Sequence, residues 1–203
     1  GIITAVFPHK DEEDKENYQC NVKLKNKKMP DGKDFELRKV PIASPYMGLV
    51  CIPNVEDLVI INFIGGDINA PVITGRLYND KDRPPPNKEK EFLLKHDVKE
   101  GGSIKLDEEG KIIITSKNEK NIFTIEDEKI SSENDKSSIT IEQENITGKN
   151  EKASISIEQD DITVKNEKCT VKLTGSSINI DNGSCKLQIE GGGITLDAGT
   201  NAI

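Results

Sequence analysis

The sequence is poor in aromatic residues and contains no tryptophan. Aromatic residues make up 4% of its 203 positions, and hydrophobic residues of all kinds make up 33%. Because aromatic side chains supply much of the buried area in globular cores, any such core here must be small and aliphatic. The length allows one to two domains.

Basic patches and long apolar runs are also missing. The net charge is −8, and no cluster of Lys and Arg is interleaved with aromatic residues, which argues against nucleic acid as a partner. No apolar stretch is long enough to span a bilayer, and no segment has the pattern of a signal peptide. Because the first residue is Gly1 rather than Met, we expect processing or further sequence upstream. Residues 1–87 carry 12 basic and 13 acidic side chains, whereas residues 88–203 carry 16 and 23.

The four cysteines show neither a disulfide framework nor the CxxC spacing of a metal site. Cys20 and Cys51 lie in segments with a strand pattern, whereas Cys169 and Cys185 share one position of the repeat described below. We expect buried free thiols that act as small hydrophobes. Inter-chain disulfides and a ring of metal ligands are the alternatives. The sequence predicts no metal site and no other cofactor.

The most prominent feature present is a repeat of sixteen residues, which occurs five times without a gap from Asn118 to Asp197. The copies read NEKNIFTIEDEKISSE, NDKSSITIEQENITGK, NEKASISIEQDDITVK, NEKCTVKLTGSSINID and NGSCKLQIEGGGITLD. Self-similarity at a short fixed period is typical of stacked, quasi-one-dimensional architectures. The segment is therefore predicted to form a rod with a mechanical or presentational role.

Each copy contains two short patches in which apolar and polar residues alternate. A spacing of two puts the apolar side chains on one face of a β-strand, and β-branched residues favour strands. Ser and Thr lie between them and would face outward. The Asn that begins each copy favours a turn, since it tolerates positive φ and hydrogen-bonds nearby backbone. The residues predicted to form an inward core are Phe123, Ile125, Ile130, Ile139, Ile141, Ile146, Ile155, Ile157, Ile162, Val171, Leu173, Ile178, Leu187, Ile189 and Ile194.

One copy cannot bury its own apolar residues. Each strand offers only two inward aliphatic side chains, and stacking the copies leaves a thin seam that needs apolar surface from elsewhere. Wrapping several chains around a common axis would supply that surface and would remove exposed sheet edges. The repeats therefore predict an intertwined oligomeric β-helix, and they leave the number of chains open.

Charged residues form columns along the repeat. Lys recurs at positions 120, 136, 152 and 168, and Glu recurs at positions 126, 142, 158 and 190. We interpret these columns as a solvated face that prevents aggregation. A catalytic pair of carboxylates would need a cleft, which a repeating column does not form. The sequence therefore predicts a protein that is not an enzyme.

The number of charged residues falls toward the C-terminus. Residues 182–203 contain three charged residues and five glycines. Small uncharged residues suit a narrowing tip that packs against another protein, and a frayed chain end is the alternative. The candidate tip-contact residues are Ala198, Gly199, Thr200, Asn201, Ala202 and Ile203.

The first 87 residues follow a different pattern. Short apolar segments bounded by turn residues show no helical period, for example GIITAVFP, YQCNVKLKN, ELRKVPIASP, LVCIPNV, DLVIINFIGG and PVITGRLYN. Five or so such strands predict a small β-barrel of the OB type over residues 1–87. Arg83 and the three prolines after it would form a stiff connector. Residues 88–117 would form a collar of connecting strands, and residues 118–203 the tapering needle of an all-β chain.

Part of the N-terminal domain is specific enough to indicate a family. The motif residues are Gly66-Asp67, Pro71-Val72, Gly75, Leu77-Tyr78-Asn79 and Pro84-Pro85. With this spacing, residues 40–86 resemble the OB domain of phage baseplate assembly protein V and of VgrG, the type VI secretion spike protein. That family follows the barrel with a trimeric β-helical needle, so the resemblance implies a homotrimer. Glu56 stands where the family usually has Gly, and no lysozyme-like domain is inserted, so peptidoglycan cleavage is not expected.

The resemblance implies the central, membrane-piercing spike of a contractile injection system, such as a phage tail, a tailocin, an extracellular injection particle or a type VI device. The barrel would bind hub and baseplate proteins under the tail tube, and a PAAR-type tip protein would cap the C-terminus. The spike would be assembled in the cytoplasm and would contact the target cell envelope transiently. Some relatives bind iron through a His-x-His near the tip, but this chain has no His after His96.

Three other functions account for less of the sequence. An OB-type ligand or nucleic-acid module on a β-solenoid stalk would use stacking aromatics, for which Phe35, Tyr46 and Phe63 are candidates. A calcium-binding β-roll needs GGxGxD turns, whereas the GGG at 191–193 is followed by Ile and Thr. A β-helical glycan-cleaving enzyme would need an insertion that forms a cleft.

Overall fold

The computed structural model describes residues 1–199, which form two compact units, one of residues 1–83 and one that begins at Pro84. Strands make up nearly all of the regular structure. The one helical element within residues 1–198 is a short 3-10 turn at Ile64–Gly66. No helix in this part of the chain is long and apolar enough to cross a membrane. The prediction of an all-β chain is confirmed.

The N-terminal unit is a five-stranded sheet in which neighbouring strands are antiparallel. Its strands are β1 (Ile2–Phe7), β2 (Gln19–Lys28), β3 (Asp34–Pro41), β4 (Leu58–Phe63) and β5 (Pro71–Leu77), in the order β3-β2-β1-β4-β5. The two outer strands meet where Ile42, just after β3, forms a parallel bridge with Ile73 of β5. The N–H of Ala43 donates to the carbonyl of Ile73 at 2.8 Å. The sheet thus closes into the five-stranded barrel expected of an OB fold.

The barrel interior is small and aliphatic, as the composition predicts. Its buried residues are Ile3, Cys20, Val22, Leu37, Val40, Val59 and Ile73. Cys20 and Val22 are two apart on β2, so they point to the same side of the sheet. Burial raises the pKa of the Cys20 thiol to about 11. Cys20 therefore stays protonated at neutral pH and packs as a small apolar side chain, as predicted.

One predicted strand of this unit is wrong. Residues 49–55 (LVCIPNV) form an irregular loop, and Cys51 is exposed. The N–H of Cys51 donates to the Tyr18 hydroxyl at 2.7 Å, and the Ser44 hydroxyl donates to the carbonyl of Leu49 at 3.1 Å. These side chains bond the backbone groups that a strand would pair, and Pro53 has no N–H to donate. The segment therefore follows the barrel without joining its sheet.

The C-terminal unit is one 13-stranded antiparallel sheet whose strands follow each other in chain order. They are β6 (Phe92–Lys95), β7 (Ser103–Leu106), β8 (Ile112–Thr115), β9 (Ile122–Ile125), β10 (Lys129–Glu133), β11 (Ser137–Glu142), β12 (Asn145–Asn150), β13 (Ala153–Glu158), β14 (Asp161–Asn166), β15 (Thr170–Leu173), β16 (Ser177–Asp181), β17 (Lys186–Glu190) and β18 (Gly193–Asp197). Each inner strand pairs with the one before and the one after it, and β6 and β18 form the two ends of the sheet. At about 4.8 Å between strands, this sheet is roughly 58 Å long.

The Asn that begins each repeat builds the turns at one edge of this sheet. The Oδ1 atom of Asn150 accepts the N–H groups of Lys152 and Ala153 at 2.9 and 2.8 Å. The Asn residues of the other copies accept similar bonds. The predicted turn is confirmed. The residue with positive φ in the first copy, however, is Glu119 (φ 59°) rather than the Asn itself.

The strands of the expected collar, β6 to β8, pair in the same sheet as the repeat strands. The domain boundaries at residues 87 and 117 remain predictions. The intertwined trimeric β-helix also remains a prediction, since it concerns contacts between copies of the chain.

Candidate assembly interface

A ladder of apolar side chains runs along the whole C-terminal sheet. Each of the thirteen strands contributes one residue, which lies directly opposite the residue of the next strand. We term this the first ladder; its residues are Phe92, Leu106, Ile112, Ile125, Ile130, Ile141, Ile146, Ile157, Ile162, Leu173, Ile178, Ile189 and Ile194.

A second ladder lies beside the first, two residues away on every strand. Its residues are Leu94, Ile104, Ile114, Phe123, Ser132, Ile139, Gly148, Ile155, Val164, Val171, Ile180, Leu187 and Leu196. Because residues two apart point to the same side of a strand, both ladders lie on one side of the sheet. Ser132 and Gly148 are the two interruptions. We term the two ladders together the apolar face.

The apolar face contains every residue that the sequence predicts for the inward core. These are Phe123, Ile125, Ile130, Ile139, Ile141, Ile146, Ile155, Ile157, Ile162, Val171, Leu173, Ile178, Leu187, Ile189 and Ile194. That prediction misses the residues of β6 to β8 on the same ladders, although GGSIKLDEEGKIIITSK shows the same alternation. Burial of the core between chains remains a prediction.

Many side chains of the apolar face are left in contact with solvent. Ile139 is 58% exposed, Ile155 54% and Leu196 77%. Contiguous exposed apolar surface beyond a few hundred Å² usually marks a site of interaction. Single exposed aliphatic residues would need no explanation, but two ladders of them on one face do. The apolar face is therefore the strongest candidate for an interface in this chain.

The opposite side of strands β9 to β18 carries mostly polar residues at its centre. Thr124, Ser131, Thr140, Thr147, Ser156 and Thr163 stack across β9 to β14 in register. Most are half-buried by their neighbours, and Thr124 is 8% exposed. A register shift of one residue would exchange the polar and apolar sides. The contrast between the two sides therefore fixes the pairing within the chain.

The turns give the two edges of the repeat sheet different charges. One edge, formed by the turns at 116–121, 134–136, 151–152, 167–169 and 182–185, carries five Lys and four acidic residues. The other edge, formed by the turns at 126–128, 143–144, 159–160, 174–176 and 191–192, carries five acidic residues and no Lys or Arg. We term these the lysine edge and the acidic edge.

Ion pairs connect neighbouring residues on the lysine edge and on the strand ends next to the acidic edge. The Lys120 ammonium lies 2.7 Å from the Asp135 carboxylate in the next copy, and the Lys129 ammonium lies 2.7 Å from the Glu142 carboxylate. Hydrogen bonding to these carboxylates raises the pKa of both lysines. The pairs are solvent-exposed, so they contribute little to stability. Their effect is to offset repulsion within the columns of like charge.

Cys169 and Cys185 lie at the lysine edge, beside the apolar face. Cys169 is half-buried and Cys185 is exposed. Together with Ile180, Leu187 and other residues they line a hollow of about 380 Å³. The prediction of a buried thiol is therefore wrong for Cys185 within this chain. Residues 1–199 contain no group of three or more His, Cys, Asp or Glu side chains that could hold a metal ion.

The C-terminal end of the sheet is described up to Gly199. Ile194 and Leu196 of β18 are 70% and 77% exposed. Ala198 and Gly199, two of the predicted tip-contact residues, are exposed as well. The others, Thr200, Asn201, Ala202 and Ile203, lie outside the described residues.

The three aromatic candidates for base stacking in the N-terminal unit differ in exposure. Phe35 and Phe63 pack against the barrel core, and the Lys27 ammonium lies 4.5 Å from the centroid of the Phe35 ring. Tyr46 is 76% exposed. A single exposed ring does not form the row of stacking surfaces that single-stranded nucleic acid requires.

A comparison with known families identifies the N-terminal unit. Residues 10–78 match the type VI secretion system/phage-baseplate injector OB domain. The matched range contains β2 to β5 and the motif residues Gly66, Pro71 and Gly75. A search of curated proteins finds no match to the chain. The closed five-stranded barrel and this match agree, so the N-terminal unit is an OB domain of the injector type found in type VI secretion systems and phage baseplates.

Proposed function

We propose that this chain is the central spike of a contractile injection system and that its C-terminal unit is the membrane-piercing needle. Such systems include phage tails, tailocins, extracellular injection particles and type VI devices. The observation that carries the proposal is the apolar face on a sheet that follows an injector OB domain in the chain. The role is force transmission and involves no catalysis.

Other copies of the same chain are the best cover for the apolar face. The face is uniform along a sheet of roughly 58 Å, so its partner must offer matching apolar surface over a similar length. A sister chain offers such a surface because it has the same repeats. Burying the exposed half of one isoleucine stabilises the assembly by about 1 kcal/mol. Burial would stabilise both ladders together, because their residues lie side by side on one face of the sheet.

The charged edges favour a closed ring of copies. In such a ring, the lysine edge of one chain lies beside the acidic edge of the next. This is a heterologous contact, which ends in a closed assembly when the rotation between copies returns to the first. Three is the number implied by the family resemblance, so we propose a homotrimer with the apolar faces turned to the common axis.

A needle of this kind resists unfolding under load. No inner strand can leave without breaking hydrogen bonds to the strands before and after it. In the trimer it must also leave the packing of two sister chains. Local opening is therefore costly, and the assembly is kinetically stable. This property suits a part that is pushed through a cell envelope.

The two ends of the chain have different proposed partners. The N-terminal barrel binds hub and baseplate proteins under the tail tube. Residues 198–203 bind a PAAR-type tip protein. The particle is assembled in the cytoplasm of the producing cell, and the needle contacts the target cell envelope only during injection.

Native mass spectrometry and electron microscopy of the full chain test this proposal. We expect slender trimers that survive mild SDS. Ile141→Asp, on the apolar face, should abolish the trimer, because it places a charge in the shared core. Thr140→Asp changes the neighbouring residue on the polar side and should leave the trimer intact. A compact wild-type monomer with a shielded apolar face would refute the spike. Salt-sensitive retention of single-stranded DNA on filters would favour the OB binding module instead.

A further inference from the structure

Gly148 leaves a gap in the apolar face. It lies in the interior of β12, opposite Ile139 of β11 and Ile155 of β13. These two isoleucines are 58% and 54% exposed, whereas their first-ladder neighbours Ile141 and Ile146 are 41% and 44% exposed. The missing side chain thus leaves a space one residue wide between two projecting isoleucines. We term this space the Gly148 notch.

The chain itself does not require glycine at this position. A Cβ atom added to Gly148 would meet no atom within 4 Å, and the backbone φ is not in the positive range. The equivalent residues are Ser132 in the preceding copy and Val164, Ile180 and Leu196 in the next three copies. Glycine inside a strand costs about 0.5–1 kcal/mol relative to alanine. A single chain would therefore be more stable with a larger residue here. We look for the reason for a glycine at this position outside the single chain.

We propose that the Gly148 notch receives part of a sister chain in the assembled needle and thereby fixes the axial register between chains. Glycine inside a strand often marks a place where another backbone or a ligand approaches closely. The sister chain is the occupant because it has the matching apolar face and the complementary edge charges described above. This inference rests on the trimeric needle of the proposed function.

A repeat of this kind does not by itself fix the axial register between sister chains. A sister chain that slides by one copy, about 9.6 Å, meets nearly the same apolar residues and the same turns. Uniform ladders therefore do not distinguish the correct alignment from a shifted one. Gly148 is the one glycine on the two ladders within residues 1–199. A chain shifted by one copy would place its bulky residue against Ser132 or Val164, each of which has a side chain in this space, and would leave the notch empty, so the correct register packs best.

The test compares Gly148→Val and Gly148→Ala with the wild type in the full chain. Thr147→Val is the matched control, because it raises strand propensity on the polar side of β12 and adds no volume to the apolar face. Trimer dissociation is measured by native mass spectrometry over a dilution series. We expect Gly148→Val to raise the dissociation constant at least tenfold, Gly148→Ala to raise it by a smaller factor, and Thr147→Val to leave it unchanged.

The outcomes separate the two proposals. A monomeric wild type refutes the proposed function and, with it, this inference. A trimeric wild type whose Gly148→Val variant is equally or more stable refutes the register role alone, since filling an empty notch should strengthen the interface. If Gly148→Val loses the strand signal in circular dichroism, Gly148→Ala decides, and an alanine trimer as stable as the wild type overturns the inference.

Discussion

Ile42 and Ile73 pair in parallel across the two outer strands of the N-terminal sheet, and this contact closes the barrel. Ile73 is 1% exposed, so Ile73→Ala should destabilise the barrel by about 2–5 kcal/mol through loss of buried apolar atoms. Calorimetry of the full chain measures the change. Ile60→Ala, at a position on β4 that is 41% exposed, is the control and should cost far less. Equal losses for the two variants would contradict the assignment of Ile73 to the closing contact.

Glu56 is expected to be a strained residue in the turn before β4. Its φ of 76° lies in the left-handed region, which costs a non-glycine residue roughly 1–2 kcal/mol. Its N–H donates to the carbonyl of Ile3 at 2.9 Å, so the turn cannot easily relax. Glu56→Gly should stabilise the unit by about 0.5–1 kcal/mol net of the entropy that glycine gains on unfolding. Urea unfolding tests this, with Glu56→Ala as a variant that should bring no gain.

The turn that begins at Asn150 should contribute to the stability of the C-terminal sheet. Asn150→Ala removes the acceptor of two backbone N–H groups and should lower stability by about 0.5–1.5 kcal/mol. Asn150→Asp keeps the acceptor oxygen and should retain most of the stability of the wild type. The urea concentration at which the C-terminal sheet unfolds is the measurement. A loss of equal size in both variants would mean that the two hydrogen bonds are not the cause.

Cys20 should make the barrel sensitive to alkaline pH. Burial raises the pKa of its thiol to about 11 from an ordinary value of 9.0, so the unfolded chain loses this proton first as the pH rises. The stability due to the neutral buried thiol is therefore complete below pH 9 and is lost progressively as the pH rises toward 11. Cys20→Ala should be less stable at neutral pH but should lack this component of the pH dependence. Equal slopes for the two proteins between these pH values would disprove the effect.

Thiol reagents give a second test of the same environment. Cys51 is exposed on the N-terminal unit and should react in the native protein within the ordinary time of a surface thiol. Cys20 should react only after unfolding, because the thiolate is the reactive form and burial suppresses it. Mass spectrometry of peptides from the labelled protein identifies which cysteines are modified. Rapid native labelling of Cys20 would contradict its place in the core.

The trimer should depend little on ionic strength. Its proposed core is apolar, whereas the edge charges are exposed and are screened by salt. Raising the salt to about 1 M, where the Debye length is near 3 Å, should leave the trimer intact in native electrophoresis or light scattering. Dissociation in high salt would show that the charged edges rather than the ladders hold the chains together.

The strands of the repeat could be predicted from the sequence because their causes are local. Alternation of apolar residues, the recurring Asn and the constant spacing all lie within one copy. The loop at residues 49–55 could not be predicted, because its backbone is bonded by Tyr18, which is 33 residues from Cys51 in the chain. A short apolar run bounded by turn residues is present there as well, but side chains rather than a neighbouring strand bond its backbone.

The apolar face could be predicted for the repeats and not for β6 to β8. The turns at 96–102 and 107–111 differ in length from those of the repeats, so the sixteen-residue period hides the continuity of the ladders. The state of Cys185 was mispredicted for another reason. Its position in the repeat indicates the side of the strand, but it does not indicate whether anything covers that side. Gly148 has no local cause that the sequence shows.

The meander in chain order has a consequence for how such chains can diverge. Insertion or deletion of one whole copy preserves the sides of every strand and both kinds of edge, and it changes the length of the sheet by about 9.6 Å. Relatives should therefore differ in reach by discrete steps of this size, each obtained in a single genetic event without new folding information.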